Sequence, residues 1–186
     1  LFIRAHYFYH LVQQFGDIPM PLKPTNSVET TAHKTKVDEV WNQIVTDLEF
    51  AVENLPETYQ ASEFGHITKY AAMHHLSRVY LTLKRSDDDL KKALNYAEQV
   101  INSGKYSLVK SHAELWDINN KNNSEVLFSV LYTQNAELNG DGNTAHMYFC
   151  SAYSEDHPAA KRVIEYGRPW SRERSSDFAI SLFDKT

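Results

Sequence analysis

The sequence predicts an all-α fold of antiparallel helical hairpins, followed by an irregular, loop-rich portion that contains one short strand. Apolar residues recur at helical spacing up to about residue 104, and capping residues, glycines and prolines divide that stretch into four helices. Beyond about residue 110 the sustained helical period is lost. We therefore divide the chain into a helical scaffold, residues 1–110, and an irregular segment of the same domain, residues 111–186, which we expect to be truncated and to face a ligand.

The first helix is predicted over residues 1–15. Four apolar residues fall on one stripe of it and should form its buried face: Phe2, Ala5, Tyr9 and Val12. Gly16 ends the helix, and the prolines that follow keep the next stretch extended. A polar loop then leads to the second helix.

The second helix, from about residue 37 to residue 55, has the clearest apolar stripe in the chain. Residues 35–38 resemble a capping box that begins at Thr35, and Asp38 suits the positive end of the helix dipole. Pro56 ends the helix. Trp41 and Leu48 lie on the stripe, so we assign both to the core.

The third and fourth helices are predicted to form a hairpin. Thr68 is the expected cap of a helix over residues 69–83, and the aspartates at residues 87–89 suit the start of the next, which Gly104 closes. Alanines on both helices allow close approach, which is typical of tetratricopeptide-like hairpins. The stripes predict ten buried residues: Val40, Trp41, Ile44, Leu48, Leu76, Val79, Tyr80, Ala93, Ala97 and Val100.

Shorter signals predict the elements of the irregular segment. A short helix is expected over residues 113–117, with Trp116 in the core, and a last helix over residues 176–183. Residues 125–132 predict a strand, because they are rich in β-branched and aromatic residues. Long irregular stretches carried by a rigid scaffold often hold binding sites.

The composition of the chain argues against several classes of function and structure. The 186 residues carry a net charge of -5 with scattered basic residues, which argues against nucleic-acid binding. A single cysteine, Cys150, excludes an internal disulfide. No apolar run reaches the ~18 residues of a membrane helix, and no signal peptide is recognisable. We expect the chain to be a fragment, with any targeting segment or lipid-carrying cysteine upstream.

Seven segments, in order, resemble the SusD/RagB family of outer-membrane nutrient-binding lipoproteins. They are Arg4 with Ala5, residues 16–19 (Gly-Asp-Ile-Pro), residues 40–56, residues 71–81, residues 93–108, residues 124–128, and residues 167–169 together with 182–184. The resemblance implies a tetratricopeptide-like scaffold and a non-catalytic, lipid-anchored protein at the cell surface. It implies delivery of a glycan, or in some members a peptide, to a SusC-type TonB-dependent transporter. No cofactor is expected.

The candidate ligand-binding residues come from the irregular segment. Sugar recognition needs a flat aromatic ring and planar polar groups. Trp170 follows Arg168 in a polar loop with no apolar stripe to join, and Tyr148 and Tyr153 lie nearby in sequence. We therefore predict that Trp170, Tyr148, Tyr153 and Arg168 contact the ligand. Packing of the loop onto the helices is the alternative for Trp170.

Other functions have weaker support. His6 and His10 have a helical spacing that can hold a metal, but no third ligand is apparent, so we predict no metal site. Residues 139–143 resemble a calcium loop but lack its glycine and its bidentate glutamate. Cys150 matches no cysteine-hydrolase signature, so we predict no enzyme. A general tetratricopeptide scaffold for a protein partner, or a hydrolase that uses Cys150, remain as alternatives.

Overall fold

In the computed structural model, the residues described are 1–132, except 25, 29, 30, 64 and 118, together with 176, 178 and 181. Five α-helices occur in this part of the chain: α1 (Phe2–Phe15), α2 (Val37–Asn54), α3 (Lys69–Leu83), α4 (Asp87–Asn102) and α5 (His112–Leu115). A short 3₁₀ turn spans Ala61–Glu63. The chain divides into two compact units, Leu1–Val130 and Leu131–Thr186, and all five helices lie in the first. The predicted all-α class and the four long helices are confirmed.

The four long helices pack in chain order. α1 packs on α2, α2 on α3, and α3 on α4, while α1 and α3 also touch. The core between them contains all four residues of the α1 stripe and eight of the ten buried residues predicted above. The other two, Trp41 and Ala97, are half-buried. Trp41 packs against this core and sets its ring edge-on to Tyr9, with the centroids 5.8 Å apart.

Local capping begins α3 and α4. The Thr68 hydroxyl accepts a hydrogen bond from the Ala71 N–H at 3.2 Å, which confirms the predicted cap. α4 is capped by Ser86, which accepts from the Asp89 N–H at 3.3 Å, while the Asp89 carboxylate accepts from the Arg85 N–H at 3.0 Å. Gly104 follows α4 with φ +66°, the left-handed conformation expected of a glycine after a helix.

The start of α2 differs from the prediction. Thr35 does not cap the helix, because α2 begins at Val37 and the N-cap position is Lys36, one residue after Thr35. The Thr35 backbone instead forms a bridge with Ile18, with N–H···O distances of 2.8 and 3.3 Å. The cap is supplied by Asp17 instead. Its carboxylate accepts from the Val37 N–H at 3.0 Å and from Lys36 Nζ at 3.0 Å. The Asp17 carboxylate therefore caps α2, the role that the sequence predicted for the Thr35 hydroxyl.

Two predictions for the irregular segment are wrong. Residues 125–132 form no strand, because Ser107 N donates to Ser124 O at 3.0 Å but the return bond comes from the Ser124 hydroxyl, so no backbone ladder develops. Trp116 is 72 % exposed rather than buried. It follows the four-residue α5, which buries no residue, and its indole N–H donates to His112 Nε2 at 2.9 Å. Of the predicted last helix, only residues 176, 178 and 181 are described.

No helix in the described part of the chain is both long and apolar enough to cross a bilayer.

Candidate functional site

The ligand-contacting residues predicted from the sequence lie outside the described residues. This applies to Trp170, Tyr148, Tyr153 and Arg168, and equally to Cys150 and residues 139–143. Their roles stay predictions. The geometry of a candidate site is therefore built from the first compact unit.

A cleft of about 290 Å³ opens beside the N-terminus of α3. Three segments form it: the loop between α2 and α3, the turn after α4, and residues 122–129. Aromatic rings and uncharged polar side chains dominate its lining, and those that matter most are Tyr59, His66, Thr68, Tyr106, Asn122 and Phe128.

The first wall is the α2–α3 loop, which backbone contacts hold in shape. Lys69 N donates to Pro56 O at 2.8 Å, and His66 N donates to Glu63 O at 3.2 Å. Gly65 has φ +100°, a conformation that residues with side chains rarely adopt. The closed loop brings Tyr59 and His66 together edge-to-face, with ring centroids 5.1 Å apart.

The base of the cleft is a hydroxyl pair. Thr68 Oγ1 and Tyr106 OH lie 3.2 Å apart and share a hydrogen bond in which either can donate. The Tyr106 ring is also edge-on to Tyr70 at 6.0 Å. Thr68 thus caps α3 and fixes a ring of the cleft at the same time.

The second wall, residues 122–129, is irregular but fully braced. Buried Asn123 donates to Asn120 O at 3.1 Å and accepts from Glu125 N at 3.1 Å. The Glu125 carboxylate accepts from Val109 N at 3.0 Å. Phe128 packs edge-on against Phe2 of α1, with centroids 5.6 Å apart. These bonds let a segment without regular secondary structure keep one shape.

The chemistry of the cleft suits binding of an uncharged, partly apolar molecule. Its rings offer flat apolar faces, and its hydroxyl and amide groups can donate and accept hydrogen bonds. Among the described residues that line it, Glu63 and Lys105 are charged, with opposite signs. The sequence analysis did not identify this site. One signal was available, because Tyr59 and His66 lie in a polar loop with no apolar stripe, as Trp170 does.

The residues that carry the family resemblance have structural roles. Arg4 of α1 forms a two-pronged pair with Asp47 of α2, with Nε–Oδ2 at 2.7 Å and Nη2–Oδ1 at 2.6 Å. The Asp47 side chain is only 2 % exposed and also accepts from Gln43 at 2.8 Å, while Arg4 donates to Leu22 O at 3.0 Å. The hydrogen bond with Asp47 raises the pKa of Arg4. These contacts fix α1 to α2 rather than bind a ligand.

The two histidines of α1 meet a third histidine that the sequence analysis did not place near them. His6 lies 4.7 Å from His10 and 5.2 Å from His75 of α3, measured between ring centroids. Among the residues described, no group of three or more side chains is arranged to hold a metal ion. Burial lowers the pKa of His75 to about 4, helped by His6 and Arg78. His75 Nε2 is buried without a hydrogen-bond partner.

Comparison with known proteins places the chain in a family. A family model described as "Starch-binding associating with outer membrane" (SusD-like) matches residues 1–81. SusD-like protein P2 from Formosa agariphila is 31% identical over 178 residues, which are 91% of this chain and 32% of that protein.

Two solved structures share the fold. A laminarin-binding SusD-like protein superposes with a TM-score of 0.69 at 26% identity, covering 82% of this chain and 35% of that one. A protein crystallised with a xylogluco-oligosaccharide gives a TM-score of 0.66 at 25% identity, covering 71% of this chain and 28% of that one.

The chain spans about a third of the length of these proteins, since the shares covered are 32%, 35% and 28%. The matches agree with the order of the sequence segments and with the helical scaffold. The chain belongs to the SusD/RagB family.

Proposed function

We propose that the chain is part of a non-catalytic nutrient-binding protein that captures a glycan at the cell surface. The protein would be held to the outer membrane by a lipid anchor upstream of this sequence. It would pass its ligand to a SusC-type TonB-dependent transporter. Two observations support the proposal together: the chain belongs to this family, and two similar solved structures are described with laminarin and with a xylogluco-oligosaccharide as ligands.

The described structure supports binding in its own right. The cleft beside α3 combines aromatic rings with uncharged hydrogen-bonding groups, as sugar sites require. Its walls are braced by hydrogen bonds before any ligand arrives, so little ordering would be needed on binding.

The irregular segment supplies the other proposed contacts. Trp170 would stack on a sugar ring, Tyr148 and Tyr153 would add apolar faces, and Arg168 would donate paired hydrogen bonds. Trp170→Ala should weaken binding and leave the melting temperature nearly unchanged. A collapse of the melting temperature, with normal binding by the remaining folded protein, would show that Trp170 is a core residue.

Calorimetric titration of the full-length protein tests the main proposal. Laminarin oligosaccharides and xyloglucan oligosaccharides should release heat and saturate, whereas a panel of short peptides should not. Saturable binding of peptides alone would favour a peptide-binding member of the family. Binding of a folded protein partner, with no response to either panel, would favour a general tetratricopeptide scaffold.

A separate assay addresses catalysis. Incubation with the same oligosaccharides and with peptides should leave them intact, because Cys150 has no recognisable catalytic base in sequence. Cleavage that a thiol reagent or Cys150→Ser abolishes would instead establish the hydrolase.

The transporter is tested by co-purification. A tagged full-length protein, extracted from outer membranes in mild detergent, should retain a TonB-dependent receptor encoded beside it. Recovery of the lipoprotein alone, at every detergent and salt condition that preserves known complexes, would remove the transporter from the proposal.

A further inference from the structure

We infer that the cleft beside α3 is a subsite for a neutral pyranose, in which a sugar ring stacks on the face of one of two perpendicular rings, Tyr59 and His66, and contacts the edge of the other. This inference rests on the proposed glycan-binding function and gives it a site and a ligand class. It concerns residues separate from the predicted contacts at Trp170, Tyr148, Tyr153 and Arg168.

The stacking surface comes from the α2–α3 loop. Tyr59 is half-buried and His66 is exposed, and their edge-to-face contact at 5.1 Å fixes both rings at the mouth of the cleft. The face of an aromatic ring carries negative potential, which attracts the C–H face of a pyranose. Because neither ring lies on a helix stripe, core packing does not explain why aromatic side chains stand there.

Hydrogen-bonding groups converge on the same space. The Thr68 and Tyr106 hydroxyls lie at the base, and the exposed Asn122 amide lies on the opposite wall. Hydroxyl and amide groups both donate and accept, as vicinal sugar hydroxyls do. A ring placed on Tyr59 and His66 would therefore have polar partners for its edge.

The charge and size of the cleft limit which classes of ligand can bind there. Glu63 and Lys105 are oppositely charged, so the cleft gives no net attraction to an anionic or cationic sugar. Its volume of about 290 Å³ is at the lower end of small-molecule sites, which hold roughly 300–1,000 Å³. One or two rings at a chain end would fit, rather than a long stretch of polysaccharide.

The backbone around the cleft disfavours an extended peptide. Strand-like peptide binding needs unpaired backbone groups along one edge. Here Ser107 N is bonded to Ser124 O, Val126 N to Asn123 O, and His66 N to Glu63 O. These three N–H groups are therefore not free to pair with a peptide strand.

The test uses the full-length protein and laminarin oligosaccharides, with xyloglucan oligosaccharides as a second probe. Tyr59→Ala and His66→Ala should each raise the Kd about fivefold to tenfold, the scale of a lost aromatic contact. Tyr59→Phe should bind like the parent, because the ring and not the hydroxyl carries the stacking. Tyr7→Ala is the matched control, since Tyr7 is 64 % exposed on α1 and does not line the cleft.

A second readout does not depend on folding of the variants. The ring proton resonances of His66 in the parent protein should shift on addition of oligosaccharide, while those of exposed His74 should not. Added salt should leave the affinity unchanged, because the ligand is neutral.

The outcomes separate the subsite from the general function. The subsite would be overturned if Tyr59→Ala and His66→Ala bind oligosaccharide like the parent and the His66 resonances do not shift. Glycan binding by the protein as a whole would still stand. An affinity that falls strongly with added salt would overturn the neutral ligand class. Absence of any oligosaccharide binding by the parent protein would overturn the proposed function itself.

Discussion

The two helical pairs of the scaffold are held together in different ways. α3 and α4 are joined by only three residues, and each begins with its own local cap, at Thr68 and Ser86. α1 and α2 are separated by 21 residues, and distant polar side chains join them. One side-chain hydrogen bond also links α3 to α4, from Ser77 Oγ to Ala93 O at 2.7 Å. A short connection therefore depends mainly on local signals, whereas a long one depends on several distant polar contacts that fix where the helices meet.

Loop length gives the physical reason. Closing a long connection costs more conformational entropy than closing a short one, although the cost grows slowly. The contacts across the α1–α2 connection are the Arg4–Asp47 pair, the Asp17 cap and the Ile18–Thr35 bridge. Each also satisfies polar groups that the packing would otherwise leave unpaired. The family motifs therefore mark the long-range contacts of the fold.

The largest test breaks the α1–α2 pair. Asp47→Ala removes a side chain that is 2 % exposed and leaves the Arg4 guanidinium without its partner. We expect unfolding to become easier by about 3 kcal/mol, the lower end of the range for a buried pair, because the Arg4 side chain is 26 % exposed and keeps its hydrogen bond to Leu22 O. Urea unfolding followed by circular dichroism measures it. Asp88→Ala is the control, because the Asp88–Lys92 pair is exposed and screened by solvent, so its loss should change stability little. Equal effects in the two variants would refute the special role of Asp47.

Apolar burial should not distinguish the two pairs. Leu48 of α2 and Leu76 of α3 are both completely buried, so each change to alanine should cost about 2–5 kcal/mol. The same urea unfolding experiment measures both. Similar losses would sharpen the comparison, since only polar contacts would then separate the pairs. A loss below about 1 kcal/mol at either site would contradict the packing described here.

A pH experiment tests the contact between α1 and α3. The folded pKa of His75 is about 4, below its ordinary 6.5, so the folded state binds its proton less readily than the unfolded state. Its contribution to stability is complete above pH 6.5 and falls as the pH drops toward 4, by up to about 3 kcal/mol. The groups that face it are His6 and His10 of α1, and Arg78 and His74 of α3.

Melting temperatures measured between pH 7 and pH 4.5 give the result. The parent chain should lose stability across this window, and His75→Gln, which cannot gain that proton, should lose less. Parallel curves for the two proteins would show that His75 is not the titrating group.

The smallest effects come from the caps. Ser86→Ala removes a local cap from α4 and should cost about 1 kcal/mol. Asp17→Ala removes a distant cap from α2, and its effect on stability should be small because the Asp17 side chain is 33 % exposed. The two should differ in where they act. Hydrogen exchange in Asp17→Ala should rise at the start of α2 and also at Ile18 and Thr35, whose backbones are bonded to each other. In Ser86→Ala it should rise only in the first turn of α4. A rise confined to α2 in Asp17→Ala would argue against a role in closing the connection.

Prediction from sequence succeeded where the deciding interactions are local. The start of α3 followed from Thr68, and the close of α4 followed from Gly104. It failed at Thr35, which has suitable chemistry for a cap but lies one residue before the N-cap position, Lys36. It failed at Trp116 because an indole next to a leucine does not reveal whether a neighbouring segment covers it.

The four long helices, most of the core and the family could be predicted from the sequence, because helical spacing, caps and short motifs are properties of neighbouring residues. The packing of distant segments brings Arg4 to Asp47, Asp17 to the start of α2, and His75 to His6. It also decided that three separate segments enclose a cleft around Tyr59 and His66. These features depend on which distant parts of the chain come together, and that is set by the packing of the helices as a whole.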